Sequence, residues 1–245
     1  MDILLLHGGF HGGWCWRETA ATLASHGHRV LTPSFTGSGE RAHLIAPRTG
    51  LYSAVQDVLA VIETEDLRNV AIVGHSLAGG PMLAVADALG ADRIALLLYL
   101  DAILLADGES VLDAMPSEVA EARRRMAEQS GTNSLAPVPA AAFGLTDPEQ
   151  IAWVESRLTP QAFASFTERL VLRNPPGNGI AQTYILCTRP PYPSVARSAA
   201  WAQAQPDWSF VEFEACHDAM IEKPRELAAL LHGLLERSRP THRQP

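Results

Sequence analysis

The strongest constraint on this chain is an alternation of short, continuously apolar runs with stretches of helical periodicity. The runs are Ile3–Leu6, Arg29–Thr32, Val70–Val73, Ile94–Leu100, Thr183–Cys187 and Phe210–Glu214. A strand open to water on one face alternates apolar and polar residues, whereas a strand covered on both faces is apolar throughout. Most of these runs are of the second kind, which predicts an α/β fold with a parallel sheet wrapped by helices. Helices are expected at Trp14–His26, Tyr52–Thr64, Leu77–Leu89 and Pro224–Arg237. The last is the best marked, because Pro224 suits a first helical position and Leu227, Leu230, Leu231, Leu234 and Leu235 share one face.

Between residues 102 and 181 the alternation stops. That segment predicts a helix near Ser117–Glu128, a loose stretch, and two helices opened by the capped prolines of Asp147-Pro148 and Thr159-Pro160. The expected organisation is a mostly parallel six-stranded core from residues 1–101 and 182–245, with residues 102–181 inserted after the fourth strand as a helical cap. Ligands of open α/β sheets bind at the carboxyl ends of the strands, where such a cap would close the site.

Three motifs lie at those carboxyl ends. After the strand NVAIV comes GHSLAGG, residues 74–80, leading into a helix. A serine on so sharp a strand-to-helix turn has its hydroxyl pushed out above the sheet, and small residues two places either side, here Gly74 and Ala78, let the backbone pass. The helix that follows aims its amide dipole at Ser76 and favours negative charge there. The second motif, LLLHGGFHGGW, lacks the G-x-G-x-x-G order of a nucleotide loop, and no acidic residue ends the next strand. It reads better as an oxyanion loop, in which the amides of Gly9 and Leu77 face a substrate carbonyl while Gly8 and Phe10 border the substrate. The third, FEACHDAMIEKP, places His217 in the loop after the last strand, as a base for Ser76.

These motifs, with YLDAILLADGES, resemble the α/β-hydrolase family that includes plant methylesterases and hydroxynitrile lyases, and small bacterial esterases within it. The resemblance covers essentially the whole chain, most weakly in the inserted segment. In the plant members the triad aspartate typically follows the CT of the penultimate strand, but here Arg189, Pro190 and Pro191 occupy those positions, and the stretch YILCTRPPYPS holds no acid at all. Asp101 is the expected replacement. It ends RIALLLYLD at a carboxyl edge, and a carboxylate finishing so apolar a strand needs a partner. Some α/β hydrolases resemble this arrangement. The competing reading is that Asp101 only caps a turn. Asp218 and Asp207 are weaker candidates, the first adjacent to His217 and the second on the wrong edge of the sheet. His7, His11 and His75 read as structural, Cys15 and Cys216 as packing thiols, and Trp14 and Trp16 as core.

The implied activity is carboxylic-ester hydrolysis of a small or medium apolar molecule through an acyl-enzyme. Hydroxynitrile lyases of the family carry a lysine straight after the histidine and a threonine in the oxyanion loop, where this chain has Asp218 and Gly8, which argues against cyanohydrin cleavage. A lactonase- or cyclase-type reaction stays open because the loop Arg189–Pro193 could face substrate, and so does a hydrolase-like binding protein. The cap's Met115, Met126, Phe143, Trp153, Phe163 and Phe166 hint at an apolar pocket, although at helical spacing such residues more often pack.

Bulk properties exclude other classes. With a formal net charge of −8 and no basic stripe, the chain is a poor nucleic-acid binder. Its one cluster, Arg123-Arg124-Arg125, is flanked by Glu121 and Glu128 and reads as a solvated helix face. The 3 cysteines have no metal-ligand spacing, so no metal or cofactor is expected and a reducing, cytoplasmic setting is. Ile3–Leu6 is too short for a signal peptide or a membrane span. A homodimer is carried as an open alternative for the assembly state.

Overall fold

The computed structural model describes residues 1–238, so the last seven residues expected in the core, 239–245, lie outside the described residues. Eight strands occur among them: β1 (Asp2–Leu6), β2 (Arg29–Leu31), β3 (Val70–His75), β4 (Ile94–Leu100), β5 (Ser134–Leu135), β6 (Gln161–Ala162), β7 (Ala181–Cys187) and β8 (Ser209–Phe213). The α-helices are α1 (Arg17–Ser25), α2 (Leu51–Thr64), α3 (Gly79–Leu89), α4 (Val111–Ala114), α5 (Ser117–Ser130), α6 (Pro148–Glu155), α7 (Ala164–Thr167), α8 (Ala196–Gln203), α9 (Ala219–Glu222) and α10 (Pro224–Ser238). Six strands form one sheet in the order β2-β1-β3-β4-β7-β8, with every neighbouring pair parallel.

Why the central strands are apolar on both sides is visible in how they divide. Ile3, Leu5, Ala71, Val73, Leu98 and Ile185 face one core, shared with Trp16, Leu23, Leu227 and Leu231 of the α1–α10 side. Leu4, Leu6, Val70, Ile72, Leu97 and Tyr184 face the other, shared with Val58, Met82 and Leu83 of the α2–α3 side. Each fully buried aliphatic side chain contributes roughly 1.5–3 kcal/mol, so polar substitution on either face of these strands is strongly unfavourable.

Two local expectations need correction. The helix expected to open at Thr159-Pro160 does not form. Thr159 instead donates its amide to the carbonyl of Phe10 at 2.9 Å, and its hydroxyl accepts from the amide of Gly39 at 3.2 Å. The chain then runs as β6, antiparallel to β5, before the short α7. Long-range bonds to Phe10 and Gly39 thus outcompete the local cap. Conversely α8 was not foreseen, although parallel β7 and β8 require a crossover of this kind. At Asp147 the expected cap is present, its carboxylate accepting from the amides of Glu149 and Gln150 at 2.7 and 3.2 Å.

Candidate active site

Ser76 follows the last residue of β3 directly and takes a left-handed φ of 52°. For a serine this backbone is strained by about 1–3 kcal/mol, which only dense surroundings sustain. The close approaches differ from those expected of the motif. A Cβ on Gly74 would meet the flexible end of Met82 at 3.0 Å, whereas one on Gly79 would meet the carbonyl oxygen of Ile103 at 2.2 Å. The Ile103 amide in turn donates to the carbonyl of Ser76 at 2.9 Å, so Gly79 holds the turn against the chain leaving β4. Gly79→Ala is therefore expected to lower unfolding free energy by about 1–3 kcal/mol through overpacking, read as a shifted urea midpoint at constant slope. An unchanged midpoint would mean the Ile103 segment yields freely.

His217 lies in the loop between β8 and α9, buried against the sheet edge. Its Nε2 is 2.9 Å from Ser76 Oγ and its Nδ1 is 2.6 Å from Asp101 Oδ2. A carboxylate only accepts, so Nδ1 carries the hydrogen and Nε2 presents a lone pair to the serine hydroxyl. Asp101 is fully buried and leaves β4 with a left-handed φ of 44°. It is anchored to β7 twice: its amide donates to the Ile185 carbonyl at 2.8 Å, and its Oδ1 accepts from the Cys187 amide at 3.0 Å. The strand whose following loop lacks an acid therefore supports Asp101 with its backbone. Asp207, as expected, lies before β8 on the opposite edge.

The loop after β1 is braced on both sides of Gly9. His7 donates Nδ1–H to the Gly8 carbonyl at 2.8 Å and accepts the Phe35 amide on Nε2 at 3.0 Å. Burial holds His7 at a pKa of about 4, consistent with this neutral ring. His11 meets the Gly9 carbonyl at 2.7 Å and Asp218 Oδ2 at 3.1 Å. Burial opposes charge on His11, but Asp218 outweighs it and raises the pKa. The Phe10 amide is taken by Gln161 Oε1 at 3.1 Å. Because the Gly8 carbonyl and the Phe10 amide are each held by a side chain, the Gly9 amide is oriented and, among the described residues, unclaimed. The Leu77 amide, in the first turn after Ser76, likewise has no intrahelical acceptor. Gly8 itself packs tightly, since a Cβ there would meet His75 Nδ1 at 2.7 Å and Ser76 Cβ at 2.9 Å. His75 donates to the His217 carbonyl at 2.9 Å, and burial, with His217 and His11 nearby, keeps its pKa well below the usual range.

The cavity over Ser76 encloses about 20 Å³ and is bordered by Gly9, Phe10, Leu77 and His217. Met115, Phe143 and Phe166 of the inserted segment also face it, while Met126 and Phe163 pack into the core and Trp153 packs on Trp14 at 5.2 Å. A neighbouring cavity, again about 20 Å³, is lined by Gly8, Leu77, Thr49, Gln161 and Ser165.

Three residues here have placements that the sequence did not show. Tyr192, from the acid-free loop, stacks on His217 with ring centroids 3.9 Å apart. Asp218 engages His11 rather than its neighbour. Arg123 is not part of a solvated face: it is buried and lines the cavity, whereas Arg124 and Arg125 are exposed. The signal was its placement between Ala120 and Ala127 on one helical stripe. Away from this site, ligand atoms of His28, His232 and Glu236 come within 4.8 Å of one another, near the amino end of β2.

Known proteins share this architecture. A family model described as the alpha/beta hydrolase family matches residues 3–230. A carbendazim-hydrolysing esterase from a Nocardioides species is 37% identical over 95% of this chain and 99% of its own length. Methylesterase 3 of Arabidopsis thaliana is 25% identical, with 94% of each chain covered. Among solved structures, an extracellular α/β-hydrolase from a Paenibacillus species superposes with a TM-score of 0.83 at 23% identity, over 95% of this chain and 98% of that one. A parallel sheet in this strand order, a serine on the turn after β3 and a family match across nearly all of its length agree: the chain belongs to the α/β-hydrolase family.

Proposed function

We propose that the protein is a serine hydrolase that cleaves carboxylic esters through an acyl-enzyme on Ser76. The observation that carries this reading is the continuous hydrogen-bond chain from Ser76 Oγ through His217 to Asp101, with spans of 2.9 and 2.6 Å. Ester-cleaving relatives across nearly the full chain support it. Ser76 Oγ attacks the ester carbonyl as His217 Nε2 takes its proton, and Asp101 stabilises the imidazolium that forms. The carbonyl oxygen, now anionic, is held by the amides of Gly9 and Leu77, each such donor being worth about 3 kcal/mol in the transition state. His217 returns the proton to the departing alcohol, then activates water to release the acid.

The inserted segment acts as a cap. With room for about one water molecule over Ser76, Met115, Phe143 and Phe166 must shift to admit substrate. Such confinement, together with methylesterase relatives, supports a small leaving alcohol, methanol first among them. Asp218, buried against His11 where a lyase of the family would present a lysine, supports hydrolysis over cyanohydrin cleavage. Three buried free thiols support a reducing setting, the cytoplasm. No helix among the described residues is long and apolar enough to cross a membrane.

Turnover of p-nitrophenyl acetate, titrated to zero by one equivalent of an alkyl fluorophosphonate with the adduct mapped to Ser76, is the expected result. A folded protein that turns over no methyl, aryl or lactone ester and takes up no phosphonate would overturn the reading in favour of a binding protein.

A further inference from the structure

Arg123 carries an unbalanced charge into the cavity. It sits on the buried stripe of α5 with Ala120 and Ala127, is 8% exposed, and lines the same space as Ser76 and His217. Its guanidinium carbon lies 5.4 Å from the centre of the Phe10 ring and 5.8 Å from that of Phe166. Those faces attract the cation but accept none of its in-plane N–H groups. Nη1 is buried and, among the described residues, meets no acceptor. Among the described residues no Asp or Glu lines the cavity, and the buried acids Asp101 and Asp218 are engaged by His217 and His11. Burial pulls the guanidinium below its ordinary range, opposed in part by the Tyr192 hydroxyl.

An arginine that served only packing would extend its head to water along an apolar stem. Arg124 and Arg125, the next two residues of the same helix, are exposed in this way, and Arg125 pairs with Glu121 at 3.0 Å. Arg123 instead lines the cavity it shares with Ser76 without a carboxylate beside it, and leaving such a charge buried and unpaired is costly. A neutral acceptor would satisfy Nη1 but not the charge. A carboxylate satisfies both, because its two oxygens match the guanidinium fork.

We propose that Arg123 recognises a free carboxylate on the substrate, so that the preferred ester is one carrying a second, unesterified carboxyl group, as in the monoester of a dicarboxylic acid. This rests on Ser76 being the nucleophile of an esterase. Phe10 and Phe166 then serve as the apolar walls that keep the ion pair dry, and Tyr192 ties the arginine to the ring of His217.

The test compares kcat/KM for the monomethyl and dimethyl esters of succinate, glutarate and adipate in wild type and in Arg123→Met. The wild type is expected to prefer the monoester of at least one chain length. In the variant the monoester-to-diester ratio is expected to fall about 10²-fold, mainly through KM, as for loss of a charged hydrogen-bonded pair. An unchanged ratio, whether both esters slow together or neither does, would overturn the inference and leave Arg123 a packing residue. Should Arg123→Met fail to fold by circular dichroism, Arg123→Gln, which keeps a donor without the charge, gives the same comparison. Titration calorimetry of Ser76→Ala with the free dicarboxylates supplies an arm independent of turnover. Binding that disappears in Ser76→Ala/Arg123→Met supports the carboxylate site even if no ester is cleaved, which would sink the esterase reading alone. Absence of binding together with absence of monoester preference sinks this one.

Discussion

Ser76→Ala is expected to lower turnover of a short p-nitrophenyl ester by about 10⁶-fold, the loss seen when a serine nucleophile is deleted from a working hydroxyl–imidazole pair. Alanine removes the hydroxyl that lies 2.9 Å from His217 Nε2, where its proton would be taken. On the proposed mechanism, what remains is the Gly9 and Leu77 amides acting on a water-borne attack, which leaves a residual catalysis of roughly 10³–10⁴ over solvent. The fold should tolerate the change. Both residues occupy the left-handed backbone at φ 52° with the same strain, and among the described residues Ser76 Oγ bonds to the imidazole alone. A thermal midpoint close to wild type beside abolished turnover is thus the expected pair of results. Turnover surviving within tenfold, in protein freed of any wild-type contamination, would show that another group attacks the ester.

Asp101→Asn is expected to lower kcat/KM by about 10⁴-fold while leaving the protein folded. The reason is the tautomer of His217. With a carboxylate at 2.6 Å, Nδ1 carries the hydrogen and Nε2 is free to accept. An amide can present its NH₂ to Nδ1, which then becomes the acceptor and moves the ring hydrogen to Nε2, facing the serine and unable to take its proton. The backbone supports that anchor Asp101, from Cys187 and to Ile185, ask only for an acceptor oxygen and an amide, and asparagine retains both. Folding and turnover are accordingly separable at this position. A loss below tenfold with the fold intact would move the acid elsewhere, and Asp218, already engaged with His11, would be the residue to replace next.

Asp101 illustrates how far local pattern carries. The apolar run before Asp101 implied a carboxylate delivered to a buried carboxyl edge, and the prolines after Cys187 ruled out the usual position. Both are statements about neighbours in the chain. That Asp101 reaches His217, 116 residues away, depends on β4 and β7 pairing so that Leu100 lies beside Ile185. The same limit explains the misread arginine cluster. Flanking glutamates suggested a solvated face, but which side of α5 meets the rest of the molecule is settled by packing, and it turned Arg123 inward with Ala120 and Ala127. At Thr159 the local cap signal lost to bonds with Phe10 and Gly39 far off in sequence.

By itself the sequence determined the sheet, its major helices, the serine turn, the glycine-rich loop and the place of the histidine, because each follows from periodicity or turn chemistry within about ten residues. Tertiary structure alone decided the pairings: which carboxylate meets which imidazole, how His7, His11 and Gln161 leave the Gly9 amide free, and that one arginine of three lines the cavity over Ser76. Those pairings join groups brought together only when several strands and the inserted segment close on one rim, and no short-range rule encodes a distance across that gap.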